Sequence, residues 1–264
     1  MAANQEWLVV LPEERGAVWV PRPEVETIRE VPERVVLPAS SAESLERALD
    51  PTWPGLRRAR LGGWVLRQGS GVTGRANSVL AVGDPEVPFE EALSLAGGWY
   101  EGPVTLQAVV DGRRAAEALA AGFVAAKPTI VQTRSVAGPP AADPEVVGED
   151  APDGVWRSIC GVSGGLLSEV TAAPARYLRL DERAAGRVAV AGQWAVLTCV
   201  AVIERERGRG LGRRITRALL AEAARLGARF AALQVEESNA AAISLYASEG
   251  FEEHHRYCYL SRPR

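Results

Sequence analysis

The fold is decided by the stretch Trp194-Ala195-Val196-Leu197-Thr198-Cys199-Val200-Ala201-Val202-Ile203, followed by Glu204-Arg205-Glu206 and then Arg207-Gly208-Arg209-Gly210-Leu211-Gly212. The first run is apolar on both alternating faces. Val196, Val200 and Val202 fall on one, and Leu197, Cys199 and Ala201 on the other, as suits a strand buried inside a sheet. After the glycines, Leu211, Ile215, Leu219, Ala223 and Leu226 recur at helical spacing up to Gly227, a fitting C-terminal cap. The glycine loop therefore stands where a strand gives way to a helix N-terminus. Free N–H groups and the positive end of the helix dipole converge there, and the missing Cβ atoms let an anion reach the backbone. Arg207, Arg209, Arg213 and Arg214 add positive charge at this point, in a chain of formal net charge −3. The spacing is neither the Walker loop nor the dinucleotide fingerprint, and an Arg-rich turn before an ordinary helix would also account for it alone.

A second block follows. Phe230 to Val235 reads as another buried strand, Glu236-Glu237-Ser238 leads out of it, and a helix spans Asn239 to Glu249. Steps of three and four residues bring Asn239, Ile243, Tyr246 and Gly250 near one helix face. Gly250-Phe251 ends that helix, and Tyr257-Cys258-Tyr259-Leu260 suits a closing strand.

These two blocks, in this order and spacing, resemble the GCN5-related N-acetyltransferase (GNAT) superfamily over roughly Val155 to Leu260. The resemblance implies an α/β (α+β) fold with a mixed central sheet flanked by helices, and acetyl-CoA as cosubstrate. It assigns the CoA pyrophosphate to Arg207, Gly208, Arg209, Gly210, Leu211, Gly212 and Arg213, and the pantetheine arm to Val200, Ala201 and Val202. Tyr246 takes the place of the family tyrosine that protonates the departing thiolate. Asn239 matches the family asparagine on the cofactor arm. From the residues alone, Asn239 equally suits a helix cap and Tyr246 a core aromatic. The expected general base is Glu236 or Glu237 at the end of the strand, with Glu204 third, although a solvated surface role suits any of these carboxylates. His254 and His255, in the closing hairpin, read as structural or exposed.

An earlier stretch runs parallel to the second block. Leu106-Gln107-Ala108-Val109-Val110-Asp111, then Ala115, Ala118, Leu119, Gly122-Phe123 and Thr129-Ile130-Val131 repeat the order of Leu233-Gln234-Val235 through Gly250-Phe251 and Tyr257-Cys258-Tyr259. The earlier copy has Ala118 where the later has Tyr246, and no glycine loop precedes its helix near Glu90 to Tyr100. It reads as a degenerate GNAT-like half. Trp53, Gly62 to Arg67 and Thr73 to Val79 resemble the front of two-part actinobacterial acetyltransferases, with Arg75 and Asn77 fitting either an acceptor cleft or a packing role. The expected division is residues 1–50 as a small β-rich module, for which an SH3-like barrel is one fit; 51–138 as the degenerate half; and 139–264 as the catalytic domain. In the first, Trp7 to Leu11 and Ala17 to Val20 suit a hairpin, and Val25 to Val36 further strands. Ser40 to Leu49 reads as a helix or linker, and Pro139 to Pro152 as a surface connection.

Composition bounds the rest. The chain has 264 residues, 47% of them hydrophobic, enough for a sizeable core. No apolar stretch is long enough to span a membrane, and Met1 to Glu6 lacks signal-peptide character, so a cytoplasmic protein is expected. A pI near 5.7 argues against a nucleic-acid partner. Cys160, Cys199 and Cys258 are widely spaced and suggest neither disulfides nor a metal site. The expectation is an acetyl-CoA-dependent N-acetyltransferase acting on a primary amine, with no metal; a homodimer is compatible with the sequence. The alternative is a non-catalytic acyl-CoA-binding sensor or scaffold.

Overall fold

The computed structural model describes residues 2–3, 7–10, 18–24, 36–53, 57–69, 73–138, 140–141, 143–161 and 173–263. Near the N-terminus, β1 (Ala2–Ala3), β2 (Trp7–Val10) and β3 (Val18–Pro21) form a small antiparallel sheet. The expected hairpin is therefore present in its strands. The further strands expected from Val25 onward lie outside the described residues as far as 35, and three strands do not establish an SH3-like barrel.

The main body is one sheet of eleven strands. Its front elements are α1 (Ala42–Leu49), β4 (Arg57–Leu61), β5 (Trp64–Gln68), β6 (Val79–Leu80), α2 (Phe89–Tyr100), β7 (Thr105–Val109), α3 (Arg113–Ala120) and β8 (Val124–Ser135). Its rear elements are β9 (Val146–Glu149), α4 (Gly154–Cys160), β10 (Ala175–Leu180), β11 (Ala184–Ala191), β12 (Trp194–Val202), α5 (Leu211–Arg225), β13 (Phe230–Glu236), α6 (Ala240–Ser248) and β14 (Glu252–Ser261). The strand order is β4-β5-β6-β7-β14-β8-β13-β12-β11-β10-β9.

Two features of that order matter. Each set has a parallel pair joined through a helix, β6 with β7 and β12 with β13, the right setting for a crossover. The closing strands are also exchanged. β14, from the rear, pairs with β7 of the front, while β8, from the front, pairs with β13 of the rear, and β8 and β14 pair with each other in the middle. Exchange joins the two sets into one sheet with no edge at the centre.

Residue alternation along the strands sorts the core onto two faces. On one, α5 and α6 pack over Leu197, Leu233 and Val235, and α2 and α3 over Leu106, Cys258 and Leu260. On the other, α1 packs over Val131, Val196, Ala232 and Tyr257 through Leu45 and Leu49, and α4 packs through Trp156 over Tyr177 and Ala185. The segment read as a surface connection is partly a strand: β9 pairs with β10 at the sheet edge. Among the described residues no helix is long and apolar enough to cross a membrane.

Candidate functional site

The alternation expected for β12 holds only in its first half. Cys199 has φ +54°, and β12 slips against β11 between Ala185 and Arg187, so Cys199 and Val200 together face the single residue Gly186. This bulge reverses the faces beyond it. Val200 and Val202 therefore pack with Leu197 on the α5/α6 side, whereas Val196 lies on the α1 side and Cys199 against Trp156 and Tyr177 on the α4 side.

The bulge also parts the two central strands. β12 and β13 pair from Trp194 with Phe230 to Leu197 with Leu233, and no further. Beyond that point β12 remains paired with β11 only. Because the Ile203 N–H donates to Arg183 O, the neighbouring Val202 amide faces the other way, into the gap. The result is a wedge between two parallel strands, lined with strand backbone.

At the mouth of the wedge stands the glycine turn. Gly208 and Gly210 have φ of +76° and +78°, a conformation L side chains seldom adopt, and a Cβ at either would point into open space. Gly210 caps α5 with no side-chain bond, so the first-turn amides of Leu211, Gly212 and Arg213 have no intrahelical acceptor. The turn, α6 and β12 converge here: a Cβ on Gly212 would lie 3.1 Å from Leu245 Cδ2 and 3.8 Å from Val202 Cγ2.

The arginines expected to charge this turn are largely committed elsewhere. Arg214 turns away to Asp143 (2.7 Å) and Glu145 (2.8 Å), hydrogen bonds that raise its pKa and hold the Asp143 carboxyl below the usual range. Arg213 binds Glu249 (3.0 Å) and Ser248, and Arg209 lies 3.4 Å from Glu206. Arg207 alone has no carboxylate partner among the described residues, and donates to Val202 O at 3.4 Å on the wedge strand. The anion-attracting character therefore rests mainly on backbone N–H groups and the helix dipole, with Arg207 beside them.

Tyr246 is 8% exposed, packs edge-on to Phe251 at 6.0 Å, and its hydroxyl has no hydrogen-bond partner among the described residues. Burial pushes its pKa up to about 12, so the phenol stays protonated through the neutral range. Asn239 caps α6, its Oδ1 accepting from the Ala242 N–H at 3.1 Å, which leaves its amide NH₂ unassigned. Glu236 ends β13, exposed, on the α1 side. Glu237 is bound to Arg256 at 2.6 Å, and Glu204 is exposed in a short 3₁₀ turn. A groove of about 720 Å³ on the α4 side runs past Val155, Ser158, Glu182 and Ile203 to Arg205.

One group was invisible to sequence reasoning. Glu46, from the segment read as a helix or linker, is 3% exposed at the centre of the molecule. It accepts from Gln107 Nε2 (2.6 Å) and Gln234 Nε2 (3.4 Å), and contacts His255 Nε2 (3.2 Å). Gln107 and Gln234 are the glutamines of the two Leu-Gln pairs, so the repeat itself marks the position, although nothing local points to its carboxylate partner. His255 is correspondingly buried, and its Nδ1 meets Nδ1 of His254 at 2.7 Å.

The fold is shared with known structures. A GCN5-related N-acetyltransferase from Kribbella flavida superposes with TM-score 0.64 at 16% identity, covering 86% of this chain and 97% of the other. A second, from Sphaerobacter thermophilus, gives 0.51 at 17% identity over 70% and 73%. A search of curated proteins found none that matches the chain in sequence. The wedge between parallel strands, opening beside a glycine turn, goes with a family match over most of the chain, and together they make the protein an acetyltransferase of the GNAT superfamily. Within it, the chain belongs to the family described as "Probable histone acetyltransferase Rv0428c C-terminal", which residues 39–260 match.

Proposed function

We propose that the protein transfers the acetyl group of acetyl-CoA to a primary amine by direct attack in a ternary complex. In this reading the pyrophosphate lies on the amides of Gly208 to Arg213, with Arg207 beside it. The pantetheine arm takes up the free edge of Val200, Ala201 and Val202, and the Val202 N–H polarises the thioester carbonyl. Asn239 contacts the arm through the amide NH₂ its capping role leaves over. Tyr246, kept neutral by burial, gives its proton to the departing thiolate, and Glu236 receives the proton of the amine. Residues 51–138 and 139–264 act as its two halves; of residues 1–50, α1 packs into the main sheet and belongs with the halves, so only the strands before it act as an appended module.

The observation that carries this reading is the wedge: β12 leaves β13 after Leu197, beside a helix whose first amides are uncapped. Positioning of the two substrates supplies the rate, since a thioester is already activated toward an amine. Calorimetric titration with acetyl-CoA tests it. Micromolar binding that Arg207→Ala and Gly210→Glu both weaken is expected; a wild-type chain that does not bind acetyl-CoA would sink the proposal.

A further inference from the structure

On the α1/α4 face, two guanidinium groups stand beside the bulge at Cys199, and among the described residues neither is bonded to a carboxylate. Arg187, on β11, is 0% exposed, yet its partners are neutral: Thr52 O at 2.9 Å, Thr198 Oγ1 at 3.4 Å and the Tyr177 hydroxyl at 3.4 Å. Arg75, in the turn before β6, is half-buried and has no side-chain hydrogen bond among the described residues. Both guanidinium carbons lie 5.5 Å from the Trp53 ring, and both act electrostatically on the Cys199 thiol. The nearby carboxylates, Asp50 and Glu46, favour the Arg75 charge through space but are bonded elsewhere, Asp50 to Arg58 and Arg67, and Glu46 to Gln107, Gln234 and His255.

A buried cation held only by neutral groups, with a second cation close by, is costly unless an anion joins them. The location says which anion. Helices α5 and α6 close the other face of the wedge, so an acceptor reaching a thioester beside Val200 to Val202 comes from this face. We infer that the acceptor amine carries a carboxylate, and that Arg75 and Arg187, brought together around Trp53 from the two halves, bind it beside the bulge at Cys199. The planar fork of a guanidinium matches the two oxygens of a carboxylate. A phosphate, more strongly hydrated and more highly charged, would lose more on moving next to the aromatic rings of Trp53 and Tyr177. The inference rests on the acetyl-transfer reading and extends it: the front half, without a cofactor turn of its own, supplies acceptor recognition.

The test uses the full chain loaded with CoA thiol, which cannot transfer. It is titrated calorimetrically with a panel of amino acids, each paired with its primary amide and its decarboxylated amine. At least one amino acid is expected to bind, with its amide and amine weaker by about 10- to 100-fold. Arg75→Gln, at a side chain with no hydrogen bond to lose, should remove that difference and leave CoA binding unchanged; Arg187→Gln should do the same if its thermal melt stays cooperative. Equal binding of acid and amide, no binding by any amino acid, or a preference for phosphorylated amines overturns the inference. So does an Arg75→Gln effect confined to a dicarboxylic acyl-CoA, which would place the anion on the acyl group. Failure of CoA to load would count against the cofactor site instead; the titration is then read on the unloaded chain, where the difference between acid and amide still decides.

Discussion

The front and rear sets of elements share one order of strands and helices, yet only the rear keeps an open wedge. In the rear, β12 leaves β13 after Leu197, and among the described residues the carbonyl of Val202 meets Arg207 alone, at 3.4 Å. In the front, aligning Leu106-Gln107 with Leu233-Gln234 puts Val82 and Gly83 where the rear has Val200 and Ala201. There Arg47 donates to Val82 O (3.4 Å), Arg114 to Gly83 O (2.9 Å), and the Gly83 N–H to Glu43 (3.0 Å). The helix starts differ as well. α5 opens Leu-Gly-Arg-Arg after an uncapped glycine turn, whereas α2 opens Phe-Glu-Glu after Pro88, placing Glu90 and Glu91 where an anion would need positive potential. A fold that binds a phosphate ester needs few changes to stop: two arginines in the backbone gap, two glutamates at the helix start.

That contrast predicts a stoichiometry of one acetyl-CoA per chain by calorimetry, and two would break the comparison outright. Gly210→Glu brings one front-half defect to the rear, a carboxylate at the helix start, and adds a strained φ of its own. Binding should weaken by at least about 100-fold, as loss of several charge-assisted contacts implies. Arg114→Ala, which unplugs the front gap, should leave the stoichiometry at one.

Next in size is Tyr246→Phe. The front has Ala118 at the matching position, fully buried, so the phenol belongs to the rear alone. Replacing it should lower kcat by about 100-fold or more with little change in acetyl-CoA affinity. With its pKa near 12, Tyr246 should contribute no limb to a pH–rate profile below about pH 10, so any limb near neutrality belongs to another group. An unchanged kcat would remove the acid role while leaving the site.

Most of this contrast was legible in the sequence. Local patterns carried it: the apolar strand runs, the glycine turn, the helix from Leu211 closed by Gly227, and the repeat that pairs Ala118 with Tyr246. What escaped was non-local. A bulge with no glycine leaves no mark, so the faces of Val200 and Val202 came out reversed. Exchange of β8 and β14 is invisible because both closing strands carry the same pattern, and either could complete either sheet. The four arginines near the turn looked alike, but Arg214 is claimed by Asp143, far earlier in the chain. Arg187 carries no local signal in the sequence, since its burial beside neutral groups is a property of the assembled face.

The seam between the sets should resist substitution less than either flank. Glu46 joins Gln107 of the front to Gln234 of the rear, so Glu46→Ala takes a partner from three polar groups at once, the buried Gln107 and His255 side chains and the half-buried Gln234. A loss of about 3 kcal/mol is expected, or a fall in Tm of roughly 6–12 °C for a chain this size. Glu46→Gln, which keeps an acceptor, should cost less. A double-mutant cycle with Gln234→Ala then separates the seam's share from general unfolding, and additive effects would show that the two sets are not coupled there.

The smallest effect concerns His254, on β14 at the same seam. Burial lowers its pKa, the adjacent His255 lowers it further, and backbone contacts with Ser40 and Pro38 only partly offset this. The unfolded chain titrates this residue near 6.5, so below that pH the unfolded state holds more protons than the native one. Its neutral form therefore stabilises the fold fully above about pH 7. That contribution falls as pH drops through 6.5, and levels off below the native pKa. The carboxylates with depressed pKa values, among them Asp143, Asp153 and Glu222, lose theirs only at lower pH, below their ordinary range. A comparison of Tm at pH 7.5 and 5.5 isolates the histidine: His254→Gln should lessen the acid-side fall by about 2 °C. An identical fall in both proteins would move the acid sensitivity off the seam and onto the flanking sets.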